Sequence, residues 1–401
     1  MIKNIEFNLF PLFLFVFSIS VLGAPDFSMI GFATTNGGTT GGSGGKTVTI
    51  SSLSALQAWA KSREKNETPE IAVISGKISG SALITIKKGS NITIQGSGTS
   101  GELAGVGINI RDYNNVIVKN LTVHEVKYPN DALTLDNVQQ GWVDHCELYS
   151  KMGSGIGQDT YDGLLDIKKG SSGITVSWCY LHDHMKCNLV GHTNNAKQKA
   201  QDSKFRVTYH HNYFYNTNGR NPSIRFGAAH MFNNYYGKIG DYGVAARLGA
   251  HVKVENCHYE NVKLPMSTSK FPVSGMPDGY ICQSGNKFTG SCGKNAIGQT
   301  GCDFWNKSTL PYSYKPDDVN TVKETVIKYS GVKGGTTAIH QKLQAHRHTI
   351  REQDGVCVHL IGMNSRFPSG KMYDLTGRLI PQSTTKNKPL NSGIVLIKKE
   401  K

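Results

Sequence analysis

Trp142-Val-Asp-His-Cys146, Ile174-Thr-Val-Ser-Trp-Cys179 and Val207-Thr-Tyr-His-His-Asn212 are three versions of one segment, a short alternating strand closed by a small residue. The same shape occurs upstream as Asn91-Ile-Thr-Ile-Gln-Gly96 and Val116-Ile-Val-Lys-Asn120, and downstream as Met231-Phe-Asn-Asn234 and Val252-Lys-Val-Glu-Asn-Cys257. The closing positions Gly96, Asn120, Cys146, Cys179, Asn212, Asn234 and Cys257 follow one another at 24, 26, 33, 33, 22 and 23 residues. A period of that length marks a solenoid. Each unit holds short Val-, Ile-, Thr- and aromatic-rich strands with Asn, Gly and Asp at the bends. One coil cannot bury its own inner face. Stacking coils as a parallel β-helix solves this, because each strand pairs with its counterpart about 4.8 Å further along the axis. The fold class expected is all-β, a single-stranded parallel β-helix with short capping helices.

A propeller or sandwich would need units of more even length, whereas coils of 22 to 33 residues suit a β-helix whose loops grow on one side. The two 33-residue units mark where insertions project, and function usually sits on such loops. The Asn and Cys closing positions are expected to form one inner file. Stacked asparagines there hydrogen-bond along the axis, which gives Asn120, Asn212 and Asn234 a structural purpose. Cys146 and Cys179 fall on adjacent coils within disulfide reach and are expected as stacked free thiols. Cys282, Cys292 and Cys302 lie in a glycine-rich stretch that could use a staple; no cysteine or histidine grouping has zinc spacing.

The chain has 401 residues with 44 Lys plus Arg against 29 Asp plus Glu, a formal charge of +15 that favours a polyanionic partner. Lys3 followed by the apolar run 7–22 and the small pair Gly23 and Ala24 has the layout of a secretory signal peptide over residues 1–24. The run is short, contains Pro11 and lacks a basic flank, which argues against an anchor. The expected mature protein is a secreted, extracellular monomer with no stable membrane insertion. Export disfavours nucleic acid and favours an acidic polysaccharide.

Residues 25–330 form the expected β-helix domain. Leu53 to Arg63, with Leu53, Leu56, Trp59 and Ala60 near one face, reads as a helix capping the open end. Val319 to Tyr329 reads as a second helix closing the domain. Residues 331–401 form a C-terminal extension containing His340, His346, Arg347, His348 and Arg351. Its runs Met372-Tyr-Asp-Leu-Thr-Gly-Arg378 and Gly393-Ile-Val-Leu-Ile-Lys398 resemble the sorting segments of bacterial surface and secreted proteins, and a small accessory β-unit is the alternative.

Two stretches carry the chemistry: Asp162-Gly-Leu-Leu-Asp166-Ile-Lys-Lys-Gly and Gly219-Arg220-Asn-Pro-Ser-Ile-Arg225-Phe-Gly. In a strand, positions four apart share a face, so Asp162 and Asp166 would present two carboxylates side by side. Such a pair needs compensation, and a hard oxygen-seeking cation such as Ca2+ would supply it. Taken alone, Arg220 and Arg225 read as carboxylate or phosphate binders.

With Asp131-Ala-Leu, Trp142-Val-Asp-His145, Leu181-His-Asp, Lys186, Val190-Gly-His192 and the Arg206 to Asn212 segment in the same order, the chain resembles a pectate lyase of the first polysaccharide lyase family over roughly residues 30–330. The resemblance implies a right-handed parallel β-helix, in agreement with the repeat. It also implies that Asp131, Asp162 and Asp166 are Ca2+ ligands, that Arg220 is the base, and that Lys186 and Arg225 hold substrate carboxylates. A further acidic ligand in some relatives corresponds here to Pro129. Asp144 and His145 match a signature read as structural.

The implied reaction is β-elimination on de-esterified polygalacturonate, removing the proton on carbon 5 and breaking the bond to the oxygen on carbon 4. Preorganised positive charge would stabilise the developing carbanion. A guanidinium is normally protonated, and crowding by other cations favours its neutral form, so activity is expected to rise with pH. A pectin lyase acting on methylated chains would not need the carboxylate cluster. A glycoside hydrolase would need an acid and base carboxylate pair, with no part for the Lys186, Arg220 and Arg225 set. The non-enzyme alternative is a glycan-binding β-helix surface protein.

Overall fold

The computed structural model describes residues 25–332, together with the backbone of four short strands between 357 and 398. The expected signal peptide and the cluster from His340 to Arg351 lie outside the described residues. Within 25–332 the chain winds as a parallel β-helix with three files of strands. The first file runs from Lys46–Ile50 and Glu70–Ile74 through Ser172–Ser177 and Arg206–His210 to Tyr280–Ser284. The second includes Glu147–Tyr149, Tyr180–Lys186, Tyr213–Gly219 and Tyr235–Ile239. The third includes 133–136, Leu165–Lys168, Asn188–Val190, Ser223–Arg225 and Val244–Arg247.

The register explains the repeat. In the first file Ile92, Val116, Gly141, Ile174, Val207, Ala229, Val252 and Ile281 pair in succession, and all are buried. Two positions along, Ile94, Val118, Val143, Val176, Tyr209, Met231 and Val254 form a second buried column, as the two-residue period of a strand requires. In the second file Phe214, Tyr236 and Tyr259 stack with ring centroids 4.9 and 4.5 Å apart, one ring per coil. Burying one such side chain stabilises the fold by about 1.5–3 kcal/mol, and stacking repeats the gain coil after coil.

The expected inner file holds at Cys146, Cys179, Asn212, Asn234 and Cys257 and is corrected by one residue at Asn120. Asn120, His145, Trp178, His211, Asn233 and Asn256 occupy the first turn position, all left-handed with φ between 46° and 55°. The buried file lies one residue later, at Leu121, Cys146, Cys179, Asn212, Asn234 and Cys257. Asn120 therefore belongs to the outer turn, where its amide donates to the Gly96 and Gly98 carbonyls. Asn212 and Asn234 do stack inside: the Asn234 side-chain oxygen accepts from the Asn212 backbone N–H and Nδ2, each at 3.0 Å. Cys146 and Cys179 are buried free thiols, as expected, and the staple in the glycine-rich stretch joins Cys282 to Cys302.

Helix α1 (Leu53–Ser62) caps the first coil with Leu56, Trp59 and Ala60 buried, its start fixed by Ser52 accepting from the Ala55 N–H. Glu70 stands where later coils place Ile92, and it is satisfied by Trp59 Nε1 at 2.9 Å and Arg63 Nη1 at 3.2 Å. Helix α2 (Val319–Tyr329) does not close the solenoid's end. Its Val322 and Val326 pack against Tyr235 and Tyr213, on the side of the second file. Before it, Tyr312 and Tyr314 strap the chain across the first file, reaching His230 at 2.6 Å and Glu255 at 2.6 Å. In the C-terminal extension, Cys357–His359, Lys371–Tyr373, Leu379–Ile380 and Val395–Lys398 form an antiparallel four-stranded sheet, so both sorting-like runs supply strands. Among the described residues no helix is long and apolar enough to cross a membrane.

Candidate active site

The two long units carry their insertions on either side of the third file. Loop 150–164 joins Glu147–Tyr149 to Leu165–Lys168, and loop 191–205 joins Asn188–Val190 to Arg206–His210. Between them, alternation sends Leu165 and Ile167 into the core and Asp166 and Lys168 outward. Asp166 pairs in register with Thr134 of the preceding coil, close to Asp131. Asp131 accepts from Thr134 Oγ1 at 2.7 Å and from the Gly163 N–H at 2.8 Å. Lys168 Nζ lies 2.6 Å from Asp131 Oδ2 and 3.3 Å from Asp166 Oδ2.

Asp166 is the stressed member of this pair. It is buried, its Oδ1 has no hydrogen-bond partner, and burial together with the Asp131 charge pushes its carboxyl up to about 7 despite Lys168 and Arg220. Gly163 is required beside it: a Cβ there would sit 2.3 Å from Asp166 Oδ1 and 3.0 Å from Asp131 Oδ1.

Asp162 reaches the site differently from the expectation. It is not in the strand with Asp166 but in the loop ahead of Leu165, so no strand face joins the two. Its carboxylate lies 2.9 Å from Lys186 Nζ, which Asp159 also approaches at 2.8 Å. Lys186 is 5% exposed. Burial pulls its ammonium's pKa down, but Asp159 and Asp162 outweigh that and raise it. Among the described residues no three Asp, Glu, His or Cys side chains are gathered as a ready metal cage; here ammonium groups lie among the carboxylates.

Arg220 follows the strand Tyr213–Gly219, whose Gly219 pairs with Lys186 of the preceding coil. It is half-buried with φ 62°, an uncommon backbone state for a non-glycine residue and one that recurs at functional positions. Its charge is felt at Asp166, Asp159 and Arg225. Arg225 is anchored by loop 191–205, donating from Nε to Asn194 at 2.8 Å and from Nη1 to the Gly191 carbonyl at 2.7 Å. Burial, then Arg247 and Arg220, lower its pKa to about 10. The structure thus brings Asp131, Asp162, Asp166, Lys186, Arg220 and Arg225 to one outer face.

Asp144 and His145 stand apart, at the corner of the first and second files. Asp144 accepts from His145 at 2.7 Å and from Ser177 at 2.6 Å, and His145 stacks on Trp178. Sequence reasoning missed Lys168, Asp159 and Arg247. The first shares a strand face with Asp166 by two-residue spacing. Arg247 pairs with Arg225 one coil on, a coincidence the repeat period could have revealed. Nothing local marked Asp159.

The parallel β-helix thus presents carboxylates and cationic side chains together on one outer face between two inserted loops. The chain matches the pectate lyase family model over residues 13–334. It is 42% identical over 313 residues to a pectate trisaccharide-lyase of Bacillus licheniformis, covering 77% of this chain and 87% of that one. Pectate lyase A of Emericella nidulans is 38% identical over 306 residues, covering 76% and 86%. Among solved structures, a pectate lyase from Bacillus sp. N165 in complex with trigalacturonate superimposes with a TM-score of 0.66 at 34% identity, covering 76% of this chain and 99% of that one. The chain belongs to the pectate lyase family, and it is an enzyme, a lyase of polysaccharide.

Proposed function

We propose that the protein is a secreted, monomeric pectate lyase that cleaves de-esterified polygalacturonate by β-elimination, with Ca2+ as cofactor and Arg220 as base, leaving 4,5-unsaturated oligogalacturonides. The observation that carries this reading is the buried Asp166, whose Oδ1 lacks a partner beside Asp131 while Lys186, Arg220 and Arg225 line the same face. The neighbouring carboxylates of Asp131 and Asp166, one with an unsatisfied buried oxygen, fit a hard cation, and Asp162 would complete the oxygen set by leaving Lys186 for it. When bound, Ca2+ supplies positive charge to the uronate carboxylate and acidifies the neighbouring carbon.

In this reading Lys186 and Arg225 orient uronate carboxylates, and Arg220 takes the proton from carbon 5. The electron pair forms the carbon 4 to carbon 5 double bond as the carbon 4 to oxygen bond breaks. The solved relative's trigalacturonate supports an oligogalacturonate as ligand. The layout of residues 1–24 supports export.

The deciding measurement follows ultraviolet absorbance of purified protein on polygalacturonate at alkaline pH. Absorbance that grows with Ca2+, rises with pH and vanishes with chelator is expected. Reducing ends without absorbance would instead mean hydrolysis and overturn the proposal.

A further inference from the structure

Loop 150–164 delivers both Asp159 and Asp162 to Lys186, and its two ends converge on one buried side chain. His184 is 1% exposed and sits two residues before Lys186 on the strand Tyr180–Lys186. Its Nδ1 lies 2.6 Å from the hydroxyl of Ser150, the first residue of the loop, and that hydroxyl also lies 3.0 Å from the Asp183 carbonyl. Its Nε2 meets the backbone carbonyl of Asp162 at the loop's far end, and the Tyr161 ring packs 6.4 Å away.

A carbonyl only accepts, so Nε2 donates to the Asp162 carbonyl and the Ser150 hydroxyl donates to the Asp183 carbonyl while lying 2.6 Å from Nδ1. Alternate residues of one strand then grip Asp162 twice: His184 holds its carbonyl, and Lys186 lies 2.9 Å from its carboxylate. We infer that His184 is a positioning residue, clasping the start and end of loop 150–164 so that the Asp162 carboxylate is held ready for Ca2+. This inference rests on the proposed role of Asp162 as a calcium ligand. Partners that orient metal ligands without touching the metal typically contribute 10- to 100-fold to metal affinity.

The test is calorimetric titration of Ca2+ into the full-length protein without substrate. Thermal unfolding in chelator serves as the check on folding. His184→Ala is expected to weaken Ca2+ binding about 10- to 100-fold, and His184→Gln, which restores an N–H donor, to recover part of the loss. In an Asp162→Ala background, His184→Ala should cause no further loss, because the ligand it positions is gone. A purely structural histidine would lower the melting temperature while leaving the Ca2+ affinity within twofold of wild type, and that result overturns the inference. If His184→Ala does not fold, Ser150→Ala frees Nδ1 alone and is expected to weaken Ca2+ binding several-fold; unchanged affinity there overturns it equally. Wild-type protein that binds no Ca2+ would overturn the calcium reading and this inference together, whereas a binding wild type with an unaffected His184→Ala sinks the inference alone.

Discussion

Asp166 holds a carboxylate where burial and a neighbouring carboxylate both oppose its charge. Such a group destabilises the metal-free protein once ionised and becomes favourable only when a cation offsets it. Asp166→Asn should therefore leave the metal-free melting temperature at pH 8 equal to or above wild type. It should also abolish both the rise produced by Ca2+ and the lyase activity; differential scanning fluorimetry with and without Ca2+ reads the first two effects. Arg220 is argued from a different property, its place one coil beyond Lys186 and its charge at Asp166. Arg220→Ala is expected to lower kcat on the order of 10² to 10³ with little change in Ca2+ affinity, measured by the absorbance assay. The types of these residues were legible because motif order exposed them. The Asp162 path was not: a four-residue spacing suggested one strand, but the chain leaves strand geometry before Leu165.

At the scale of elements, the turn column and the strap across the first file hold the coils in register. The Asn234 side chain satisfies two Asn212 donors, and its own Nδ2 donates to the Tyr209 carbonyl at 2.8 Å. Asn234→Ala strands these buried groups and is expected to cost roughly 2–4 kcal/mol, read by urea unfolding. The strap adds a pH dependence. Burial would raise the Glu255 pKa, but bonds from His230, Lys253 and Tyr314 hold it down to about 2 from its ordinary 4.5. A depressed carboxyl stabilises the fold above its unfolded value, and the contribution fades as pH falls from about 4.5 towards 2. Its full size is about 3 kcal/mol, so Glu255→Gln should flatten the loss of stability between pH 4.5 and 2, measured by thermal melts. The one-residue offset of Asn120 belongs to this scale too. Closing residues look alike in sequence, but only strand register separates the left-handed turn position from the buried one behind it.

Across the whole molecule, Ca2+ bound by the folded chain alone should raise its stability by about 2.7 kcal/mol at 100 times the dissociation constant. A shift in melting temperature with Ca2+ and none with Mg2+ is the expected result, Mg2+ demanding a tighter octahedral shell. The sequence by itself determined the β-helix, its coil period, the long units and the residue types of the cleft. Period and alternation are local properties that each coil repeats, and a basic, carboxylate-bearing motif is visible wherever it lies. Only the tertiary structure decided which side chains meet. Asp131 and Asp166 share Lys168, Arg225 pairs in register with Arg247, His184 gathers both ends of loop 150–164, and α2 lies along the second file rather than across the end. The physical reason is that these contacts join residues one or more coils apart, or lie in loops with no period. Their pairing is set by strand register and loop path, which no single stretch of sequence encodes.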